Sequence, residues 1–409
     1  MKLRSGTDHD IQHCLGELVA DPVVLISKSH AEARWACERK EYYSYFFGGT
    51  GLRPLAPSFD YGFGIILHDA VAQIARTVGM PDPIPTIAPN VFERVYQLCQ
   101  SCQMDDATSK QWGTIGEGLI RAFYKRRWPE ILRQYEIVHI EANCVTPLGE
   151  GIWFVAKPDL ILKDRFTGAY VYWEYKTTGW IDTKWLNSWN KAVQVHSGLK
   201  AASHTLGLPI EDCIIEGLYK GRRQYEYQSE NSYQSSPFAW GWQREGVAGV
   251  LADQYAYTSM RGKGWQRFPT YQLVDGLGPW VDEMPTELID KQFVRTPPIT
   301  INEDIVSDFF EQTRWRVREV RAANREFAEL MTGVQNLADQ QIRLREILNH
   351  YFPQDFGACE PAMGHPCEFK DMCWNSSVRR DPLGSGQYRR RQLEHQEEFI
   401  KLLPVEDAA

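Results

Sequence analysis

Asp159, Glu174 and Lys176 are the residues whose types and spacing are best suited to chemistry. They stand in two apolar, β-rich runs, Ile152–Lys163 and Tyr170–Thr178, joined by the short connection Asp164–Gly168, a pattern that predicts a hairpin. Side chains alternate across a strand, so Glu174 and Lys176 share one face and Tyr175 takes the other. Asp159 on the partner strand can meet the first face. Charges gathered among residues that favour burial are costly unless they pair or hold a metal. Paired carboxylate oxygens suit a hard cation such as Mg2+ or Mn2+, which keeps several waters and accepts phosphate as a further ligand. Such a cation eases deprotonation of bound water and neutralises charge developing on phosphate. A neighbouring lysine can orient the attacking water or stabilise the pentacovalent phosphorus. The chemistry implied is hydrolysis of a phosphodiester.

Seen singly, Glu-x-Lys is usually a solvated strand face and Pro-Asp usually a turn. Together, Pro158-Asp159 and Glu174-Tyr175-Lys176 resemble the PD-(D/E)xK nuclease signature, and more narrowly its RecB-like exonuclease branch. Gly64-x-x-x-His68, opening a helical run, resembles the motif whose histidine is a metal ligand in that branch. Glu141, closing the alternating stretch Ile137–Glu141, matches a glutamate that precedes the Pro-Asp strand, with a surface ion pair as the alternative. Gln194 resembles the glutamine of the helix after the lysine strand, although the tyrosine usual four residues later is Gly198 here. The resemblance implies that His68, Asp159, Glu174 and the Tyr175 carbonyl bind Mg2+ or Mn2+. It also implies that Lys176 assists the attacking water and Gln194 helps to place the strand.

Nine cysteines, an odd number, with no apolar secretory segment at the amino terminus, predict a reducing, cytoplasmic location without structural disulfides. Cys359-x7-Cys367-x5-Cys373 falls in a Pro/Gly-containing loop, as soft-metal ligands often do, and needs a fourth donor. Cys37, in the segment Trp35–Phe47, resembles the amino-terminal cysteine of iron–sulfur nucleases of the AddB and CRISPR-adaptation types. There one amino-terminal and three carboxy-terminal cysteines hold a [4Fe–4S] cluster. The spacing between Cys359 and Cys367 is wider than the family's Cys-x-x-Cys, and zinc is the competing metal, with His365 as an alternative ligand. Cys99 and Cys102 lie in a helical stretch with no second pair nearby and read as helix cysteines. Cys14, Cys144 and Cys213 read as small core residues.

These sites need a scaffold, and 409 residues with 43% hydrophobic content can bury a sizeable core. The net charge of −8 is unusual for a nucleic-acid enzyme and puts any phosphate contacts on local basic clusters. Candidates are Lys125–Arg127, Lys220–Arg223, and Arg379-Arg380 with Arg389–Arg391, each of which also reads as a solvated charged face. Aromatic residues concentrated between Trp173 and Trp265 can stack on unpaired bases or simply fill a core. No stretch is apolar and long enough to span a bilayer.

The element order expected is helices over 60–134, three strands over 135–178, a helix over 182–206 ended by Pro209, and a strand at 213–219. That order matches an α/β restriction-endonuclease-like core, a mixed central sheet flanked by helices. The chain divides into 1–56 with the first cluster cysteine, a core over 57–224, and an irregular, aromatic-rich insertion or lid over 225–300. Helices and the cysteine loop over 301–378 follow, and then a mobile charged tail over 379–409. The partner expected is DNA, as single strands or duplex ends, with a recombination or adaptation protein as a possible companion. The rival readings are a nuclease subunit active only within such an assembly and a non-catalytic nucleic-acid-binding module.

Overall fold

The structure, a computed structural model, describes residues 24–56, 58–179, 182–220, 254–260, 264–270, 290, 292–333, 336–359, 366–391, 398–399 and 401–403. Its first elements are β1 (Val24–Ser27), α1 (Lys28–Ala36), α2 (Glu38–Glu41) and β2 (Leu52–Pro54). The helical layer follows as α3 (Phe59–Arg76), α4 (Ile84–Ser101), α5 (Asp106–Ala122) and α6 (Trp128–Gln134). Ser58 caps α3 and Asp105 caps α5, each accepting a backbone N–H of the first turn.

Five strands, not three, occupy the next stretch: β3 (Tyr135–Ile140), β4 (Cys144–Gly149), β5 (Ile152–Ala156), β6 (Leu160–Asp164) and β7 (Tyr170–Thr178). The run Ile152–Lys163 breaks at Lys157–Asp159, where Pro158 has no N–H for a ladder. Helices α7 (Thr183–Ser188) and α8 (Val193–Leu206) come next, and α8 ends at Gly207, whose φ of 64° is the left-handed cap glycine tolerates. The chain continues through β8 (Ile210–Tyr219), the hairpin β9 (Gln254–Met260) and β10 (Gly264–Thr270), β11 (Phe293–Arg295) and β12 (Ile299–Thr300). Two long helices, α9 (Glu303–Gly333) and α10 (Leu337–Tyr351), precede the short α11 (Phe356–Cys359), α12 (Lys370–Trp374), α13 (Ser376–Arg380) and β13 (Tyr388–Arg390).

The protein is thus a mixed α/β chain. Its central sheet has the order β11-β8-β7-β6-β3, with β12 also pairing β8; β7 and β8 are parallel and the other neighbours antiparallel. Residues 293–300 therefore complete this sheet and do not belong to an irregular insertion. A smaller sheet, β1-β5-β4, has β1 parallel to β5, and β13 pairs β2 in a separate ribbon.

Alternation on β7 sets two cores. Val171, Trp173 and Tyr175 pack with α3 to α6, while Tyr172 packs with α8, the β1-β5-β4 sheet and α9. A third core joins the aromatic segment Tyr42–Phe47 to α9, α10 and the cysteine loop. The expected mobile tail is partly docked: Tyr388 is buried, and Phe399 and Leu403 pack on Val145, Trp153 and Val155.

Among the described residues no helix is long and apolar enough to cross a membrane. Cys14, Arg222, Arg223, His365 and most of the aromatic segment before Trp265 lie outside the described residues or carry no described side chain.

Candidate active site

The hairpin brings the three charged residues together. Leu160 pairs with Trp173, so one step on Asp159 comes level with Glu174, and directly opposed residues of an antiparallel pair share a face. Asp159 Oδ2 accepts the Tyr175 N–H at 2.6 Å. Lys176 Nζ donates to Glu174 Oε2 at 2.7 Å, and the Tyr172 hydroxyl donates to Glu174 Oε1 at 3.2 Å. His68 arrives on α3, with Nδ1 2.9 Å from Asp159 Oδ1. Gly64, one turn earlier, lets that helix lie close to β7, since a Cβ there would stand 3.2 Å from Thr177 Oγ1.

Electrostatics lock these pairs. Burial alone would pull the His68 imidazole down, but the Asp159 carboxylate outweighs it and holds it above the usual range. Burial raises Asp159, and His68, with help from Lys176 and the Tyr175 N–H, brings it below the usual carboxylate value. Burial lowers Lys176, while Glu174 and Asp159 outweigh it and keep the ammonium charged. Two anions are thus offset by two cations in a largely buried setting.

Among the described residues no group of three or more His, Cys, Asp or Glu side chains is poised as a metal cage. The carboxylates are turned instead to His68 and Lys176. The donor types nevertheless fit a hard divalent ion: an imidazole nitrogen, two carboxylates and the Tyr175 carbonyl.

Two other expected members stand apart. Glu141 closes β3 with φ of 50°, its N–H bonds the Asp159 carbonyl at 3.0 Å, and its carboxylate pairs with Arg76 and, at 3.8 Å, with Lys157. It braces the backbone before β6, and its carboxylate follows the ion-pair alternative. Gln194 is the second residue of α8; its Oε1 is buried without a partner, and among the described residues it makes no side-chain bond to Asp159, Glu174 or Lys176.

Two residues were not anticipated. Ser27 lies level with Val155, so Lys28 opens α1 beside the segment leading to Asp159. Its ammonium pairs with Glu32 at 3.2 Å, and burial together with the like charge of Lys176 lowers its pKa. A single lysine after a strand carries no sequence signal. Tyr172 is the second. Its hydroxyl fills the space over Gly198, where a Cβ would come within 2.8 Å of it. The position that the resemblance gives to a helix tyrosine is therefore occupied from the strand. Tyr172 was legible in principle, two residues before Glu174 on the same face.

The four cysteines of the second site lie in one neighbourhood, though among the described residues they do not form a metal-holding group. Cys37 lies at the break between α1 and α2, not inside a helix, and its Sγ accepts the Asp355 N–H at 3.4 Å. Cys359 Sγ accepts from Gln354 Nε2 at 3.5 Å, and the Cys367 N–H bonds the Cys359 carbonyl at 3.0 Å. Cys367 and Cys373 each lie within electrostatic reach of Cys37 and Cys359, and burial pushes the Cys373 thiol up to about 12. Arg39 ties the same two chain regions, donating to the Phe352 carbonyl at 2.7 Å, the Leu348 carbonyl at 3.0 Å and Asn349 Oδ1 at 2.9 Å. Four sulfur donors fit a soft metal or cluster. Cys99, Cys144 and Cys213 are buried singly in the two main cores. Cys102, half-buried, ends the helix stretch begun by Cys99.

The basic clusters are largely engaged within the protein. Arg126 forks onto Asp290, and Arg127 pairs with Glu216 and Glu130. Lys220 pairs with Asp60, and Arg379 donates to the Cys373 carbonyl.

No protein-family model matches the chain, and no curated protein matches it.

Proposed function

We propose that the protein is a metal-dependent nuclease that hydrolyses DNA phosphodiester bonds, an exonuclease of recombination, repair or phage DNA processing, built on a restriction-endonuclease-like core. The observation that carries this reading is the shared face on which Asp159 stands level with Glu174, with His68 on the first carboxylate and Lys176 on the second. His68, Asp159, Glu174 and the Tyr175 carbonyl are the groups that would hold Mg2+ or Mn2+. When bound, the ion supplies Lewis-acid polarisation of the phosphate and a more acidic water.

The chain's own residues do the rest. Tyr172 and Lys176 fix the two oxygens of Glu174, so that carboxylate is aimed before substrate arrives. Lys176 keeps its proton and so serves as a cation toward the attacking water or the phosphate, not as a base. The Tyr175 N–H orients Asp159. Cys37, Cys359, Cys367 and Cys373 are assigned a structural [4Fe–4S] cluster in preference to zinc on their resemblance to the iron–sulfur nucleases, supported by the electrostatic proximity of the four thiols. A thiol-rich site without disulfides fits a reducing cytoplasm.

Digestion of end-labelled single- and double-stranded DNA with Mg2+, with and without chelator, tests the reading. Wild-type protein cleaves in a chelator-sensitive manner, and Asp159→Ala and Lys176→Ala abolish cleavage with unchanged circular dichroism. Either variant cutting at the wild-type rate would overturn the assignment.

A further inference from the structure

Three of the four arginines at the β2–β13 ribbon share one side, and Arg390, opposite Leu52, takes the other. Leu52 and Tyr388 face the third core, so alternation sends Arg53, Arg389 and Arg391 to the opposite side. Arg389 pairs directly across from Arg53, and the Arg391 N–H continues the ladder to the Gly51 carbonyl at 3.0 Å. Like charges directly opposed weaken a ribbon. Among the described residues neither Arg53 nor Arg389 has a carboxylate partner, in contrast to Arg126 and Arg127.

The arginines continue into an aromatic surface. The Arg391 guanidinium lies over the Tyr45 ring, 4.0 Å from its centroid. Tyr45 is also within electrostatic reach of Arg53, of Glu32 on α1 and of Tyr61 on α3. Tyr61 is 60% exposed, which leaves its ring open to a stacking partner. It precedes His68 by seven residues on one helix, about 10 Å along the axis, or roughly three nucleotides of B-form strand.

We propose that the Arg53–Arg389–Arg391 face is a binding site for the backbone phosphates of a nucleic-acid strand, with the Tyr61 ring stacking on one unpaired base between that face and His68. Guanidinium forks suit phosphate, which accepts two parallel N–H bonds, and an opposed arginine pair loses its repulsion when an anion sits between. An exposed aromatic ring beside the track suits a base, since every base has a stacking face. The assignment deepens the nuclease reading by placing the non-reacting part of the substrate. It rests on that reading only for what happens at His68 and Asp159.

Binding is measured apart from cleavage, by anisotropy of a short labelled single strand with full-length protein in chelator. Arg53→Glu/Arg389→Glu is expected to weaken binding at least tenfold. It should also flatten the dependence of log affinity on log salt by about 1.4, at about 0.7 per single-strand contact. Arg318→Glu, on the exposed Glu150 pair, is the charge control and binds as wild type. Tyr61→Ala weakens binding of the single strand more than that of blunt duplex. Should the double reversal lower the melting temperature, Arg53→Gln/Arg389→Gln gives the same salt slope without it.

Unchanged affinity and slope in the well-folded variants overturn the proposal and leave the nuclease reading untouched. Competition by polyglutamate as strong as by the DNA strand also overturns it, in favour of an acidic protein partner. In the double variant, cleavage of a mononucleotide nitrophenyl ester, too short to reach the ribbon, should keep the wild-type rate. If wild-type protein binds strands through these arginines but never cleaves, the ribbon site stands and the nuclease reading falls.

Discussion

Gly198→Ala tests whether the strand tyrosine sets the geometry of Glu174. The added methyl carbon would stand 2.8 Å from the Tyr172 hydroxyl oxygen, 3.1 Å from Cζ and 3.3 Å from Cε2. Tyr172 is 2% exposed and its neighbours are core residues, so the ring has nowhere to swing. Overpacking of this kind costs about 1–3 kcal/mol. If the hydroxyl withdraws, a hydrogen bond to a carboxylate worth about 1.5–3 kcal/mol is lost instead. Alanine in the body of α8 returns about 0.8–1 kcal/mol of helix propensity. The net expectation is a loss of up to about 2 kcal/mol, together with slower cleavage because Glu174 loses one of its two anchors.

A double-mutant cycle isolates the contact. In the Tyr172→Phe background the 2.8 Å oxygen contact is gone and only the ring-carbon contacts at 3.1 and 3.3 Å remain, so Gly198→Ala should cost clearly less than in the wild type. Urea denaturation midpoints for the four proteins, with cleavage rates alongside, provide the assay. An equal cost in both backgrounds, or no cost in the wild type, would refute the idea that this glycine exists to seat the tyrosine.

Lys28→Ala is expected to lower kcat/KM by about tenfold without changing the melting temperature, because its Glu32 partner is an exposed i, i+4 pair worth little; single-turnover kinetics separate binding from chemistry. Cys37→Ser should yield colourless protein with iron per chain well below wild type, and a loop around Cys359–Cys373 that trypsin cuts faster; a colourless wild type holding one zinc would shift the assignment to zinc. Glu41 is buried with Oε1 3.1 Å from His30 Nε2 and Oε2 accepting Arg316 Nε and Nη2 at 2.9 and 2.7 Å, so Glu41→Gln should cost about 3 kcal/mol by urea denaturation. Burial raises the Glu41 pKa, but the His30 hydrogen bond and Arg316 outweigh it and the net shift is downward. Its stabilisation is then fully present above pH 4.5, its ordinary value, and is lost as pH falls through the lower folded value. In Glu41→Gln that part of the acid loss disappears.

What could be seen beforehand followed from local pattern. Alternation around Asp164–Gly168 was enough to foresee the hairpin and to put Asp159 beside Glu174. A histidine one turn after Gly64 pointed to α3. What could not be seen depends on partners distant along the chain. Lys125–Arg127 looks like an open basic patch until Asp290 and Glu216 arrive from elsewhere. Nothing near Cys37 in the sequence signals the break between α1 and α2; the turn there is held by the Asp355 N–H on its sulfur and by Arg39, which donates to Leu348 and Asn349 of α10. The split of Ile152–Lys163 between two sheets was foreshadowed only by Pro158. The tail looked too polar to dock because Phe399 and Leu403 are sparse among charges.

The pairing of β2 with β13 bears on how the protein is made. The β6–β7 hairpin and the parallel β8 can associate soon after residue 219 is synthesised. The ribbon, the Arg39 contacts and the cysteine neighbourhood cannot close until the second half of the chain has been translated. At about 5–20 residues per second, β13 follows β2 by on the order of 20 to 70 s. A nascent or truncated chain therefore holds Asp159 and Glu174 on their hairpin without the ribbon and its arginines.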